Sequence, residues 1–196
     1  MLRAQDNYIN VPEDHSTIQA AYDVANENDT ILVQPGTYYE NLYISTKNIV
    51  LGSLFLTTGD TAYISSTIID GNNSSHAINI QGYQSCNGSN CDKIDTSFVL
   101  AGFTVQNGNT DEYGGGINVA SYAFPTLRNL KIINNTAFKG GGGIRIRYAS
   151  ARIMDVLIAG NTVTSENFWY ESCAGGGIEL YYLSGNSWGG STPGGR

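Results

Sequence analysis

The sequence is poor in charge, histidine, cysteine and long apolar runs. Only 14% of its 196 residues are charged, and 17 Asp and Glu against 10 Lys and Arg leave a net charge of −7. That balance argues against nucleic acid and anionic membrane surfaces as partners, because both need clustered cations. No apolar run approaches the roughly 20 residues of a bilayer-spanning helix, so no membrane insertion is expected. The two histidines, His15 and His76, stand at no metal-ligand spacing and are expected to be solvated. No serine occupies a nucleophile-elbow pattern. Cys86 and Cys91 bracket a polar loop and either close as a local disulfide, leaving Cys173 unpaired, or all three stay free thiols. Residues 1 to 7 lack the apolar core of a signal peptide, so export would rest on a signal absent from this sequence.

What is abundant is glycine and tyrosine, 24 and 13 residues respectively, which suits many short strands and tight turns. One domain over 1–196 accommodates the length. Its expected parts are a lead-in over 1–15, a helix over 16–28, coils over 29–183 and a flexible Gly-rich tail over 184–196. Ser16 with Gln19 reads as a capping box, and Ile18, Ala21, Tyr22 and Ala25 share one helical face. Such a helix would cover the open apolar end of a strand stack. After it, strands are expected over 30–33, 41–44, 48–51, 66–70 and 77–80, with a turn at Pro35-Gly36 and no further helix.

The later half repeats. Gly108, Asn135 and Asn161 align in one column, at intervals of 135 − 108 = 27 and 161 − 135 = 26. Ile117, Ile144 and Ile178 each close a Gly run, at intervals of 27 and 34. Gly and Asn tolerate φ > 0, so the first column is read as a left-handed bend repeated in every coil. Asn107 and Asn134 are read as an internal amide stack that Gly160 breaks. The pairs Phe103 and Val105, Leu130 and Ile132, and Val156 and Ile158 alternate at period two and should stack coil on coil. No Lys-Ser/Thr or helix follows the Gly runs, so they are expected at coil corners rather than around phosphate.

The segment from Ile18 to Ser53, IQAAYDVANENDTILVQPGTYYENLYISTKNIVLGS, together with NNTAFKGGGGIRI and GNTV, resembles right-handed parallel β-helix proteins of the pectin-lyase-like superfamily. The resemblance implies an all-β right-handed parallel β-helix with a short N-terminal capping α-helix, common in secreted and surface proteins. Activity within that superfamily ranges from lyases, esterases, glycosidases and epimerases to adhesins. Pectin esterases share the opening at Ile18–Ala21 and Pro35–Asn41, yet their catalytic motifs have no match, and the Asp-Pro-His-Asp site of alginate epimerases is missing. A lyase-like site would need an acidic calcium cluster opposite a cation, for which Arg145 or Arg147 is available.

If Ile117, Ile144 and Ile178 point inward, Asn118, Arg145 and Glu179 form one outward column, and Ala120, Arg147 and Tyr181 the next, with Asn79 and Gln81 upstream. Arginine grips carboxylates and tyrosine stacks on sugar rings, so this face suits an acidic or neutral glycan. Trp169, among Phe168, Tyr170 and Glu171, and Asp111, Glu112 and Tyr113 lie in insertions expected above it. The substrate-binding candidates are Asn118, Arg145, Arg147, Trp169, Glu179 and Tyr181. The catalytic candidates are Arg145, Arg147, Glu179 and Glu112, whose carboxylates would act as acid and base or hold Ca2+. The competing reading makes Arg145 and Glu179 a solvated ion pair of small effect. The expected function is polysaccharide or cell-surface glycan binding, extended to lyase or hydrolase chemistry, outside the cell or on its surface. The alternatives are a non-catalytic structural or adhesive module, or an N-terminal fragment of a larger β-helix with an uncapped last coil open to end-to-end self-association.

Overall fold

A computed structural model describes residues 8–82, 94–165 and 175–181. The chain enters through β1 (Tyr8–Val11) and helix α1 (Ile18–Val24), then passes through β2 (Thr30–Val33), β3 (Gly36–Tyr39) and β4 (Leu42–Ser45). The next pass holds β5 (Val50–Ser53), helices α2 (Phe55–Thr58) and α3 (Ala62–Ser66), β6 (Thr67–Asp70) and β7 (Ile78–Gln81). A third holds β8 (Val99–Ala101), β9 (Thr104–Gln106), β10 (Asn109–Thr110) and β11 (Ile117–Ala120). The fourth holds β12 (Thr126–Ile133), β13 (Thr136–Ala137) and β14 (Ile144–Arg147), and the fifth β15 (Arg152–Ala159), β16 (Thr162–Val163) and β17 (Ile178–Tyr181).

The protein is therefore mostly β, and all of the strand pairings described are parallel. Each strand meets its counterpart one pass later, which gives a three-stranded sheet (β10-β13-β16), a five-stranded sheet (β17-β14-β11-β7-β4) and a curled sheet of nine strands. The curl has a local cause. The first half of β12 pairs with β8 and the second half with β9. Between the halves Asn129 takes φ 52, level with Gly102 at φ 84 and Asp155 at φ 54.

Period-two alternation turns one side chain in two into the interior. Ile31, Leu51, Leu100 and Leu127 stack in one register, as do Leu42, Ile78, Ile117 and Ile144, and all are essentially inaccessible to solvent. Leu130 and Ile132 lie level with Val156 and Ile158, and Ile132 with Val105, as their alternation suggests. Burying each such side chain contributes about 1.5–3 kcal/mol. In the last pass Ile178 and Leu180 occupy the same columns but remain exposed.

Several expectations change. The capping box does not form: Thr17 is the N-cap, accepting from the Ala20 amide at 3.1 Å, and the helix is shorter than 16–28. The Ile18 and Gln19 amides instead donate to the Glu40 carboxylate at 2.8 and 2.9 Å. Gln19 is occupied elsewhere, its side-chain amide bonding both the N–H and C=O of Tyr43 and so pairing the edge of β4. Gly36 begins a strand, and β1 falls within the expected lead-in. Helices α2 and α3 interrupt a region read as strands and turns only. The cysteines, Trp169 with its neighbouring aromatics, and the tail lie outside the described residues.

The largest correction is a one-residue exchange of roles. Asn107, Asn134 and Gly160 carry the left-handed bend, with φ 54, 54 and 64. Asn135 and Asn161 form the internal amide ladder: Asn161 Oδ1 accepts from the Asn135 backbone and side chain, each at 2.9 Å, and Asn135 Oδ1 accepts from the Gly108 amide at 2.9 Å. Gly108, not Gly160, ends that ladder, because a Cβ there would run into the Gly115 carbonyl. Asn135 is fully buried and also donates to the Val105 and Ile133 carbonyls. Asn135→Gly should therefore cost about 2–4 kcal/mol in urea unfolding. Asn134→Gly, at a position where glycine is at ease, should change stability by less than about 1 kcal/mol. Equal losses would contradict the exchange.

Candidate functional site

The five-stranded sheet places the candidate residues. Its register sets Tyr43, Asn79, Asn118, Arg145 and Glu179 in one row, and Ser45, Gln81, Ala120, Arg147 and Tyr181 in the next. Both rows point away from the interior. They differ in what lies above them.

The first row is covered. Asn118, Arg145 and Glu179 retain 6%, 8% and 2% of their accessible surface, so the exposed charged face expected for them is absent. Tyr113 lies over the Arg145 guanidinium at 3.6 Å from the ring centre. Gly114 follows at φ 75, and a Cβ there would lie 3.0 Å from Asn118 Cβ and 3.1 Å from Arg145 Cβ. Only a glycine lets this corner come down so closely. Arg145 Nε faces Glu179 Oε2 at 3.6 Å, making the pair a buried one rather than a solvated one. Burial lowers the Arg145 pKa, Glu179 opposes that shift, and Arg147 adds to it.

Glu112 is exposed and engaged elsewhere, with Lys139 Nζ at 2.6 Å, and Lys139 also sits over Tyr113. His76, expected in solvent, is half-buried with Nδ1 2.8 Å from the Gly114 carbonyl. A carbonyl only accepts, so Nδ1 carries the proton and Nε2 the lone pair. The signal for this contact was the position of His76 two residues before β7, where the Gly runs precede the later strands of the same sheet.

The second row opens onto a groove of about 550 Å³ lined by Gln81, Asn118, Ala120, Ser121, Tyr122, Arg145, Arg147 and Tyr148. Arg147 is exposed, and among the described residues no carboxylate lies within ion-pair distance of it. Its guanidinium is flanked by the Tyr148 and Tyr181 rings at 4.9 and 5.9 Å, and those rings meet edge to face at 5.6 Å. Tyr122 and Tyr148 take φ 66 and 47, a conformation that costs a bulky residue energy, at a turn where Thr46 and Ser121 are also left-handed. Sequence reasoning missed both, because tyrosine gives no sign of a left-handed backbone. None of the lining residues is a carboxylate. Among the described residues, no group of three His, Cys, Asp or Glu side chains comes together to hold a metal ion.

No protein-family model, curated protein or solved structure matches this chain.

The His76 contact has a pH consequence. Burial is the main cause of its lowered pKa, Arg145 adds to it, and the Gly114 bond and Glu112 oppose it. A depressed native pKa means that the unfolded chain takes up a proton the native chain refuses. The His76 contribution is thus full above the ordinary 6.5 and is lost as pH falls through the lower native value. Unfolding measured on either side of pH 6.5 should show this loss, and His76→Gln should flatten the slope there. An unchanged slope would remove His76 from the account.

Proposed function

We propose that the chain is a right-handed parallel β-helix of the pectin-lyase-like kind, covered at its N-terminal end by α1, and that it binds carbohydrate in the groove over β7, β11 and β14. Three parallel sheets built pass upon pass support the architecture, and parallel crossovers are overwhelmingly right-handed. Helix α1 buries Ile18, Ala21 and Tyr22, which suits a cap.

One observation carries the functional reading: an accessible arginine stands beside tyrosines held in a costly backbone conformation along an open groove. Aromatic faces pack against the C–H faces of sugar rings, while amides and a guanidinium bond hydroxyls or an acidic group. A flat apolar ligand would leave the polar floor around Asn118 without use. An extracellular or cell-surface setting accompanies this reading.

Binding without hydrolysis fits best. Hydrolysis of a glycosidic bond ordinarily needs two carboxylates flanking it. Glu179 is buried beneath the Gly corners and Glu112 is paired with Lys139. Arg145 is poorly placed as a base for a lyase, because Tyr113 and the Gly114 corner cover it.

A glycan-array screen, followed by calorimetry and a lyase assay with and without Ca2+, tests the proposal. The expected result is saturable binding without unsaturated product, weakened about tenfold or more by Tyr148→Ala and by Arg147→Ala. Binding indifferent to both substitutions would place the site elsewhere, unsaturated product would make the protein a lyase, and silence across the array would favour a structural or adhesive module.

A further inference from the structure

The groove floor has a feature that tyrosine stacking and an exposed arginine do not explain. Ser121 Oγ donates to Gln81 Oε1 at 3.0 Å, Gln81 Nε2 donates to Asn79 Oδ1 at 2.6 Å, and Asn118 Nδ2 donates to the same oxygen at 3.0 Å. This chain fixes the orientation of each amide in turn. With its nitrogen committed to Asn79, Asn118 must turn Oδ1 the other way. That oxygen is buried and has no hydrogen-bond partner among the described residues. One pass on, at the paired position in the register, Arg145 Nε is also buried without a hydrogen bond, its nearest carboxylate standing off at 3.6 Å. Both residues line the groove.

An acceptor lacking a donor and a donor lacking an acceptor therefore sit side by side beneath one open groove. Leaving such groups buried and unpaired costs about 1–3 kcal/mol each, so an arrangement that retains both points to something that fills them. A carboxylate would satisfy Arg145 and repel Asn118 Oδ1, and an ammonium would do the reverse. A hydroxyl does both, donating to Asn118 Oδ1 and accepting from Arg145 Nε.

We infer that Asn118 and Arg145 form a hydroxyl-reading subsite on the groove floor. The subsite rests on the carbohydrate reading and sharpens it: the ligand is a sugar unit presenting a free hydroxyl toward β11 and β14, while Arg147 and the tyrosines hold its rim. Tyr113 stacks on Arg145 and Gly114 lies above both residues, so entry of the hydroxyl requires the Tyr113 corner to shift. Asn118 acts here as a specificity-determining residue, its acceptor aimed by the amides of Asn79 and Gln81.

The test titrates 15N-labelled protein with cellotetraose, xylotetraose and tetragalacturonate, each alongside its O-methylated counterpart, which keeps the ring and removes the donors. The Asn118 side-chain amide, Arg145 Nε–H and Arg147 Nε–H resonances are followed together. At least one free oligosaccharide should shift the Asn118 and Arg145 signals saturably and bind about tenfold more tightly than its methylated form. Asn118→Ala should reduce that preference to within about twofold. The comparison of free and methylated probes needs no variant, so it holds even if Asn118→Ala folds poorly. Equal binding of free and methylated forms would overturn the subsite. So would shifts confined to Arg147 and the tyrosines, an outcome that leaves carbohydrate binding standing, and so would a fixed water on Asn118 Oδ1 that no oligosaccharide displaces. Absence of any groove shift with all three oligosaccharides would overturn both readings.

Discussion

Backbone hydrogen bonds from Gly114, Gly115, Gly116 and Ile117 to the carbonyls of Gly140, Gly141, Gly142 and Gly143 hold two neighbouring passes in one register. That register decides which side chains meet. A slip of one residue would send Ile117 and Val119 into solvent and Asn118 into the apolar interior, a cost no surface contact could offset. The Gly corner enables the close approach, the isoleucine ladder beneath enforces it, and the row of Asn118, Arg145 and Glu179 is a consequence. The groove inherits its shape from the same pairing, because Tyr148 follows β14 and Tyr122 follows β11 at matching ends of the sheet.

Much of this was legible in the sequence. The spacing of Ile117, Ile144 and Ile178 gave the pairing of β11, β14 and β17 residue for residue, since a parallel ladder has no freedom once its apolar columns are aligned. The bend was less legible. Asparagine tolerates a left-handed backbone and also bonds in a ladder, so Asn134 and Asn135 were equally suited to either role; the close approach of Gly116 and the Val105 and Ile133 carbonyls to the Asn135 amide assigns them. Helices α2 and α3 are four and five residues long, too short for a helical period to show, and only Gly59 at φ 72 marks the stop of the first.

Exposure was the part that sequence could not supply. Alternation tells which side of a strand a residue occupies, but not whether another segment lies over that side. Here the corner at Tyr113 and Gly114 descends on the first row and leaves the second open. Two arginines two residues apart are thus assigned to different tasks. Arg145 belongs to a buried layer of polar contacts, while Arg147 stands at the surface between tyrosine rings. An accessible guanidinium beside tyrosine rings offers a bond to a polar or acidic group there.

The division between a buried Arg145–Glu179 pair beneath the groove and an exposed Arg147 at its rim is tested most directly by a double-mutant cycle. Arg145→Met, Glu179→Gln and the double variant would be compared by urea unfolding, with Arg147→Met as the reference. A buried pair predicts a coupling energy above about 1 kcal/mol and an Arg147→Met effect within about 0.5 kcal/mol. A coupling near zero, or an Arg147 effect as large as that of Arg145, would contradict the division on which the functional reading stands.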